Sequence, residues 1–347
     1  MERLSMSVTP LERPAVKEPR IKPRPILKVS PQGEDGLYSQ CWYPVCRSRD
    51  VQTGEVIARK FLGGQVAIFR GEDGNANVVS SYCVHMGADL SGGCVEGNTL
   101  RCAFHGWQYS GDGRCIGTAI GAQPPKSAAI FAFPTRERWG LIFAFNGEEA
   151  DWELPDLDYP DEELMVIEGP TKEIKCDPEM ITANAFDWQH FATLHDFHSD
   201  ENAPGTVIDW EDHWCGFTFV GKHWLNEDTT YRIEIHGTNF YTQQGTLDGY
   251  WYTMLNPMGQ PAPQEMKFYM QILVPKGDGS DKAEKFARYK AEAILDMETR
   301  FIAQDIPILN KLHFAPGFLI KEDKQFVEYL SWLKKFPRGN PAMNYLK

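Results

Sequence analysis

Cys83-Val84-His85 and Cys102-Ala103-Phe104-His105 set two thiols and two imidazoles on two short stretches with sixteen residues between them. Four such donors suit a [2Fe-2S] cluster of mixed ligation, with thiolates on one iron and imidazoles on the other, each stretch giving one ligand to each iron. Gly87 and Gly106 stand where the backbone must turn tightly and approach the sulfurs closely. A mixed Cys/His set also suits tetrahedral zinc, but zinc modules usually repeat Cys-x2-4-Cys pairs, and neither stretch holds two cysteines. Cys41 and Cys46 form Cys-x4-Cys, the opening of a plant-type ferredoxin signature. Arg47, Ser48 and Arg49 follow where another cysteine is required, so the pair reads as buried thiols, as do Cys94, Cys115, Cys176 and Cys215.

A second constellation lies in Asn184 to His195. Asp187 and His190 are spaced i, i+3 and share a face of any helix there. His190 and His195 are five apart, about 140° on a regular helix, so both reach one metal ion only if the helix ends or distorts between them. His195 is therefore expected at a helix end, with His198 a weaker alternative. Two neutral imidazoles and one carboxylate make the facial triad of a non-haem Fe(II) site with open positions. His213, His223, His236 and His313 are read as ordinary satisfied histidines.

The carboxylate must come from elsewhere. A long amphipathic helix is expected from Asp281 to Asp305, with Phe286, Tyr289, Ala293, Met297 and Phe301 in steps of three and four and Asp305 next. An Asp continuing an apolar stripe is expensive to bury unless it binds a cation. Repeated steps of four drift around the helix, however, so periodicity leaves Asp305 and Asp296 both open.

Together these motifs resemble the Rieske non-haem iron oxygenases: Cys-x-His, sixteen residues, Cys-x-x-His, then Gly106-Trp107-x-Tyr109, with Asp-x-x-His-x4-His downstream. Ala88 and Phe104 stand where respiratory Rieske proteins carry a disulfide, which points to the oxygenase branch. The likeness is nearest to the ketosteroid-hydroxylase type and covers roughly residues 37 to 335. It implies that Cys83, His85, Cys102 and His105 hold the cluster and that His190, His195 and Asp305 hold Fe(II), the run Phe301 to Ile308 being where such proteins supply the third ligand. It further implies a homotrimer in which Asp187 links His190 to His85 or His105 of a neighbouring subunit. O2 is the co-substrate, and electrons come from NAD(P)H only through a separate reductase, with or without a ferredoxin. No G-x-G-x-x-G fingerprint appears in the chain. The implied reaction is hydroxylation of an apolar or aromatic small molecule, with cis-dihydroxylation, demethylation or desaturation as alternatives. The rival reading is a Rieske electron-transfer or redox-sensing protein without oxygenase activity.

These sites need elements to position them, and the chain of 347 residues is long enough for two domains. Between Gly36 and Asn146 short β-rich runs alternate with Gly-rich turns, the texture of a small antiparallel β domain. Glu148 to Glu163 is acidic, with Pro155 and Pro160, and reads as a linker. A helix is expected around Met180 to Leu194, then strands at Tyr231 to His236, Tyr250 to Leu255 and Lys267 to Val274. The expectation is an α+β fold: an extended tail over 1–36, a Rieske domain over 37–150, and a catalytic domain over 151–347 with an antiparallel sheet flanked by helices, of helix-grip type. Phe217, Phe219, Trp224, Phe240, Tyr241, Tyr250, Trp251 and Tyr252 are candidates for an apolar pocket, though most are more simply core. A net charge of -13 opposes nonspecific attraction to nucleic acid or anionic membrane. No apolar run approaches the length of a membrane span, and no secretory signal is evident, so the cytoplasm is the expected compartment. Lys17, Arg20, Lys22, Arg24 and Lys28 lie among prolines in the tail, which reads as solvated and extended.

Overall fold

The computed structural model describes residues 29–196, 198–199, 207–222, 228–247 and 249–346. The basic residues of the tail, Trp224, His223 and the side chain of His198 lie outside the described residues.

Aromatic and β-branched residues in short runs drive the first half into three small antiparallel sheets. Val56–Phe61, Gly64–Arg70, Ala76–Ser80 and Ala132–Phe133 form one, and Trp42–Arg47, Thr135–Arg138 and Leu141–Phe145 another. These two close on a core of Trp42, Tyr43, Phe61, Phe143 and Phe145. The third sheet, Cys94–Glu96, Thr99–Arg101, Gln108–Ser110 and Cys115–Gly117, stands on its own smaller core of Leu90, Leu100, Tyr109 and Ile130.

The expected linker is strapped down. Trp152 and Leu154 are buried, and the indole N–H of Trp42 donates to the carbonyl of Trp152 at 2.7 Å. Arg138 grips Asp161 through Nε at 2.5 Å and Nη2 at 3.0 Å, so the acids of this stretch answer arginines of the β half.

The second half is built on a long antiparallel sheet. Its strands run in the order Leu164–Glu168, Gln271–Pro275, Tyr250–Ala262, Phe240–Leu247, Asp228–His236 and Trp214–Lys222. The expected strand at 267–274 is two, Glu265–Phe268 and Gln271–Pro275. The break falls at Tyr269 and Met270, neighbours that bury their side chains in different cores, Tyr269 in the one shared with the β half and Met270 between sheet and helix.

The expected helix at 180–194 is also divided, into α1 (Glu179–Asn184) and α2 (Trp188–Leu194). Asp187 is the N-cap of α2 and takes the backbone N–H of His190, which restarts the helix after Phe186. The long helix α3 runs Asp281–Leu309, capped by Ser280, and packs on Gln271–Pro275 and Leu164–Glu168.

The phase of α3 differs from the expected stripe. Its buried face is Ala287, Ala291, Ile294, Glu298, Ile302, Asp305 and Leu309, while Phe286 and Tyr289 are 51% and 67% exposed. Small alanines let the helix approach the sheet closely, and the aromatics spread over its flank, where Phe286 packs edge-on against Tyr250 at 5.6 Å. Cys94 likewise is exposed rather than buried, since it lies in a short edge strand, and Cys115 is half-buried.

Candidate active site

Two loops of matching design carry the first set of donors. In one, Cys83 N–H bonds to Ala88 O at 2.9 Å and Gly87 N–H to Cys83 O at 2.8 Å. In the other, Cys102 N–H bonds to Trp107 O at 2.8 Å and Gly106 N–H to Cys102 O at 3.0 Å. Both turns close on a glycine of positive φ, 75° at Gly87 and 62° at Gly106, and a Cβ on Gly106 would lie 2.6 Å from that of Ala119. The thiols of Cys83 and Cys102 are buried at the base, while His85 and His105 are exposed at the tip with ring centroids 4.7 Å apart. Trp107 stacks on His85 at 4.6 Å and 7°, and the Tyr109 hydroxyl lies 3.0 Å from Cys83 Sγ. Burial raises the Cys83 thiol, and the Tyr109 hydrogen bond opposes that rise. A thiol pair inside and an imidazole pair outside fit a [2Fe-2S] group whose thiolate iron is buried and whose imidazole iron reaches the surface. By contrast Cys41 and Cys46 are packed in the core, where burial pushes both thiols up to about 12.

The second set converges from α2 and α3. His190 is half-buried, and His195 and Asp305 are buried at 7% and 8% exposure. Their donor atoms all fall within 4.8 Å of one another, with Asp305 Oδ1 at 2.8 Å from His190 Nε2 and Oδ2 at 3.4 Å from His195 Nε2. His195 lies at the end of α2, as its C-cap. Its Nδ1 faces Gln304 Oε1 at 2.9 Å, an acceptor that calls for the N–H there, and its Nε2 is turned toward the carboxylate. Burial lowers the affinity of His195 for a proton, but Asp305 and Gln304 outweigh it and the pKa is raised. Burial likewise raises Asp305, yet the two imidazoles hold it below the usual range. Two imidazoles turned onto one carboxylate make an electrostatic trap for a cation, and the donor set fits an iron of the facial-triad kind. Asp296 lies away from it, exposed and paired with Arg300 at 2.5 Å.

Asp187 reaches His190 at the backbone N–H, 3.0 Å from Oδ1, rather than at the ring. His190 Nδ1 is buried with no hydrogen-bond partner among the described residues.

The donors sit in the wall of a cavity with about 110 Å3 of free space. Phe191, Phe219, Phe268, Met254, Met270 and Phe301 give it an apolar lining. Of the aromatics singled out in the sequence, Phe219 and Tyr241 line it, while Phe217, Phe240 and Tyr252 are buried in the cores. Glu298, also in the lining and 6% exposed, had no sequence signal.

An α+β chain with a [2Fe-2S] loop pair in one half and a two-histidine, one-carboxylate cavity in the other defines a two-centre redox protein. The sequence signature of the Rieske [2Fe-2S] domain matches residues 41–130. Over most of its length the chain is 34% identical to cholesterol 7-desaturase of Xenopus laevis, covering 88% of this chain and 73% of that protein. It is 35% identical to a probable 3-ketosteroid-9-alpha-monooxygenase, oxygenase component, of Rhodococcus rhodochrous, covering 86% and 80%. Against two further cholesterol 7-desaturases it spans only 37% and 36% of their length. Its fold is that of the Pseudomonas putida CBB5 NdmA QL mutant with caffeine, with a TM-score of 0.67 at 21% identity over 85% of this chain and 89% of the other. The chain belongs to the Rieske non-haem iron oxygenases, whose cofactors are a [2Fe-2S] cluster and a mononuclear iron.

Proposed function

We propose that this chain is the terminal oxygenase of a multicomponent system and that it inserts one oxygen atom into an apolar small molecule. In this reading Cys83, His85, Cys102 and His105 hold the cluster, and His190, His195 and Asp305 hold Fe(II). The observation that supports it best is the meeting of three metal donors in the wall of an apolar cavity. When bound, the cluster supplies single electrons and Fe(II) supplies O2 activation.

The chain's own residues do the rest. Gln304 fixes the tautomer of His195, Asp305 holds both imidazoles, and the Phe and Met lining excludes water and orients substrate. Asp187 Oδ1 starts α2, and Oδ2, which takes no hydrogen bond among the described residues, is the atom available to link His190 to a cluster histidine of a neighbouring subunit in a homotrimer. Val84, Met86 and Phe104 stand exposed around His85 and His105 and suit that contact. Electrons come from a separate reductase, as the "oxygenase component" in the relative's name implies. The sterol and ketosteroid named for the relatives agree with an apolar cavity. Division into a Rieske domain over 37–150 and a catalytic domain over 151–347, and action in the cytoplasm, complete the reading. No helix among the described residues is long and apolar enough to cross a membrane.

The test is metal and product analysis. About three irons and two acid-labile sulfides per chain are expected. With a surrogate reductase and 18O2, one labelled atom should enter the product. Two irons with no mononuclear Fe(II) signal would leave an electron carrier, and zinc without sulfide would leave a zinc module.

A further inference from the structure

Among the described residues Glu298 is the one buried acid of the cavity outside the metal set, and α3 places it seven residues, two turns or about 10 Å along the axis, before Asp305. Around it three neutral residues spend their hydrogen atoms on one another and on a single oxygen. Tyr241 O–H donates to Gln243 Oε1 at 2.7 Å. Gln243 Nε2 donates to the Tyr252 hydroxyl at 2.9 Å and, at 3.4 Å, to Glu298 Oε1. Tyr252 O–H donates to the same Oε1 at 3.1 Å. Among the described residues nothing bonds to Oε2, and no Lys or Arg lines the cavity.

We propose that Glu298, held by Gln243 and Tyr252, is the polar anchor of the substrate cavity and selects an apolar molecule carrying a hydroxyl, a 3-hydroxysteroid in preference to the 3-ketosteroid. The proposal rests on the oxygenase reading above and deepens it. The donors of the cluster are consumed internally, so what it offers a ligand is an acceptor. A hydroxyl can donate to that acceptor; a ketone has no hydrogen to give and would set two acceptors face to face. A fused-ring skeleton held at Glu298 would extend along α3 and bring carbon atoms in the body of the molecule to the three metal donors. Burial pushes the Glu298 carboxyl up to about 7, so at pH 8 the ionised form prevails and repays its desolvation by taking the hydroxyl proton in a hydrogen bond.

The experiment is calorimetric binding to the holoenzyme at pH 8 without reductase, so that no turnover occurs. The probes are a 3β-hydroxysteroid and the 3-ketosteroid of the same skeleton. Wild type should bind the alcohol about tenfold or more tightly, the worth of a hydrogen bond to a charged acceptor. In Glu298→Gln, whose amide can donate, the ratio should collapse or invert while cluster absorption and iron content are kept. Equal affinities in the wild type, no binding of either steroid, or an unchanged ratio in a metal-replete Glu298→Gln would each overturn the anchor. Should Glu298→Gln fail to fold, the wild-type ratio still decides. Iron and sulfide analysis of the same sample separates the two failures: a flat ratio on protein with both metals sinks only the anchor, whereas protein lacking mononuclear iron sinks the oxygenase reading.

Discussion

Asp187 and Asp305 flank His190 with different duties. Asp305 touches both imidazoles at their Nε2 atoms, and Asp187 caps α2 through the His190 backbone. Asp305→Ala should therefore lose mononuclear iron while the cluster's absorption persists. Asp296→Ala should lose neither, because that carboxylate faces Arg300 in solvent; iron loss in the second variant instead of the first would reassign the third ligand. Asp187→Asn keeps a capping oxygen and should retain both metals yet slow turnover about 10–100-fold, the usual cost of disturbing the partner of a metal ligand. Turnover close to wild type would take Asp187 off the electron path. At this scale the cluster set and the two histidines could be proposed from the sequence because short motifs, Cys-x-His, Cys-x-x-His and His-x4-His, carry them, and spacing tests whether the side chains of one motif can meet. Periodicity did not choose the third ligand, since several steps of helical drift lie between an apolar stripe and its continuation, and the resemblance of the run Phe301 to Ile308 supplied the choice of Asp305. Glu298 left no trace at all, because a glutamate in a helix ordinarily faces water.

The helix α3 shows how an element can be read correctly and phased wrongly. Its start was expected at Asp281, where Ser280 caps it, and it runs four residues past the expected end at Asp305, to Leu309, but large side chains drew the expected stripe through Phe286 and Tyr289. The face that packs is set by Ala287 and Ala291, which carry little hydrophobic signal and matter through what they leave out. Ala291→Leu should overpack the contact with the sheet, costing about 1–3 kcal/mol and lowering the thermal midpoint. Phe286→Ala removes an exposed ring with one aromatic neighbour and should cost less than about 1.5 kcal/mol. A reversed order of the two midpoints would restore the aromatic stripe as the buried face. The division of 180–194 into α1 and α2 has a similar origin. Residue pattern marks that stretch as helical, yet only tertiary packing of Phe186 between Tyr329 and Phe217 stops one helix and lets Asp187 begin the next.

The molecule as a whole is joined through a core common to both halves, in which Phe240, Leu255 and Leu273 of the large sheet meet Trp42 and Phe143 of the β half. A buried polar node lies beside that joint. Glu179 Oε1 accepts from Gln32 Nε2 and, at 2.9 Å, from Thr238 Oγ1, while Asp177 accepts from the backbone N–H groups of Gln32 at 3.1 Å and Gln264 at 2.8 Å. Residues near the start of the described chain, the entry of α1 and two loops of the large sheet thus depend on two acids. Burial, with the neighbouring Asp177 adding to it, pushes Glu179 up to about 8. In the unfolded chain the same carboxyl loses its proton near 4.5. Between those values the folded protein holds a proton that the unfolded chain has released, so this group's contribution to stability is intact below the lower value and declines as pH rises, by up to about 1.4 kcal/mol per pH unit. Glu179→Gln keeps Oε1 as acceptor and removes the titration. Its thermal midpoint should fall less than that of the wild type between pH 6 and pH 8, and parallel declines in the two proteins would mean that Glu179 is ionised in the fold and that the node is held by charge rather than by a neutral hydrogen-bonded acid.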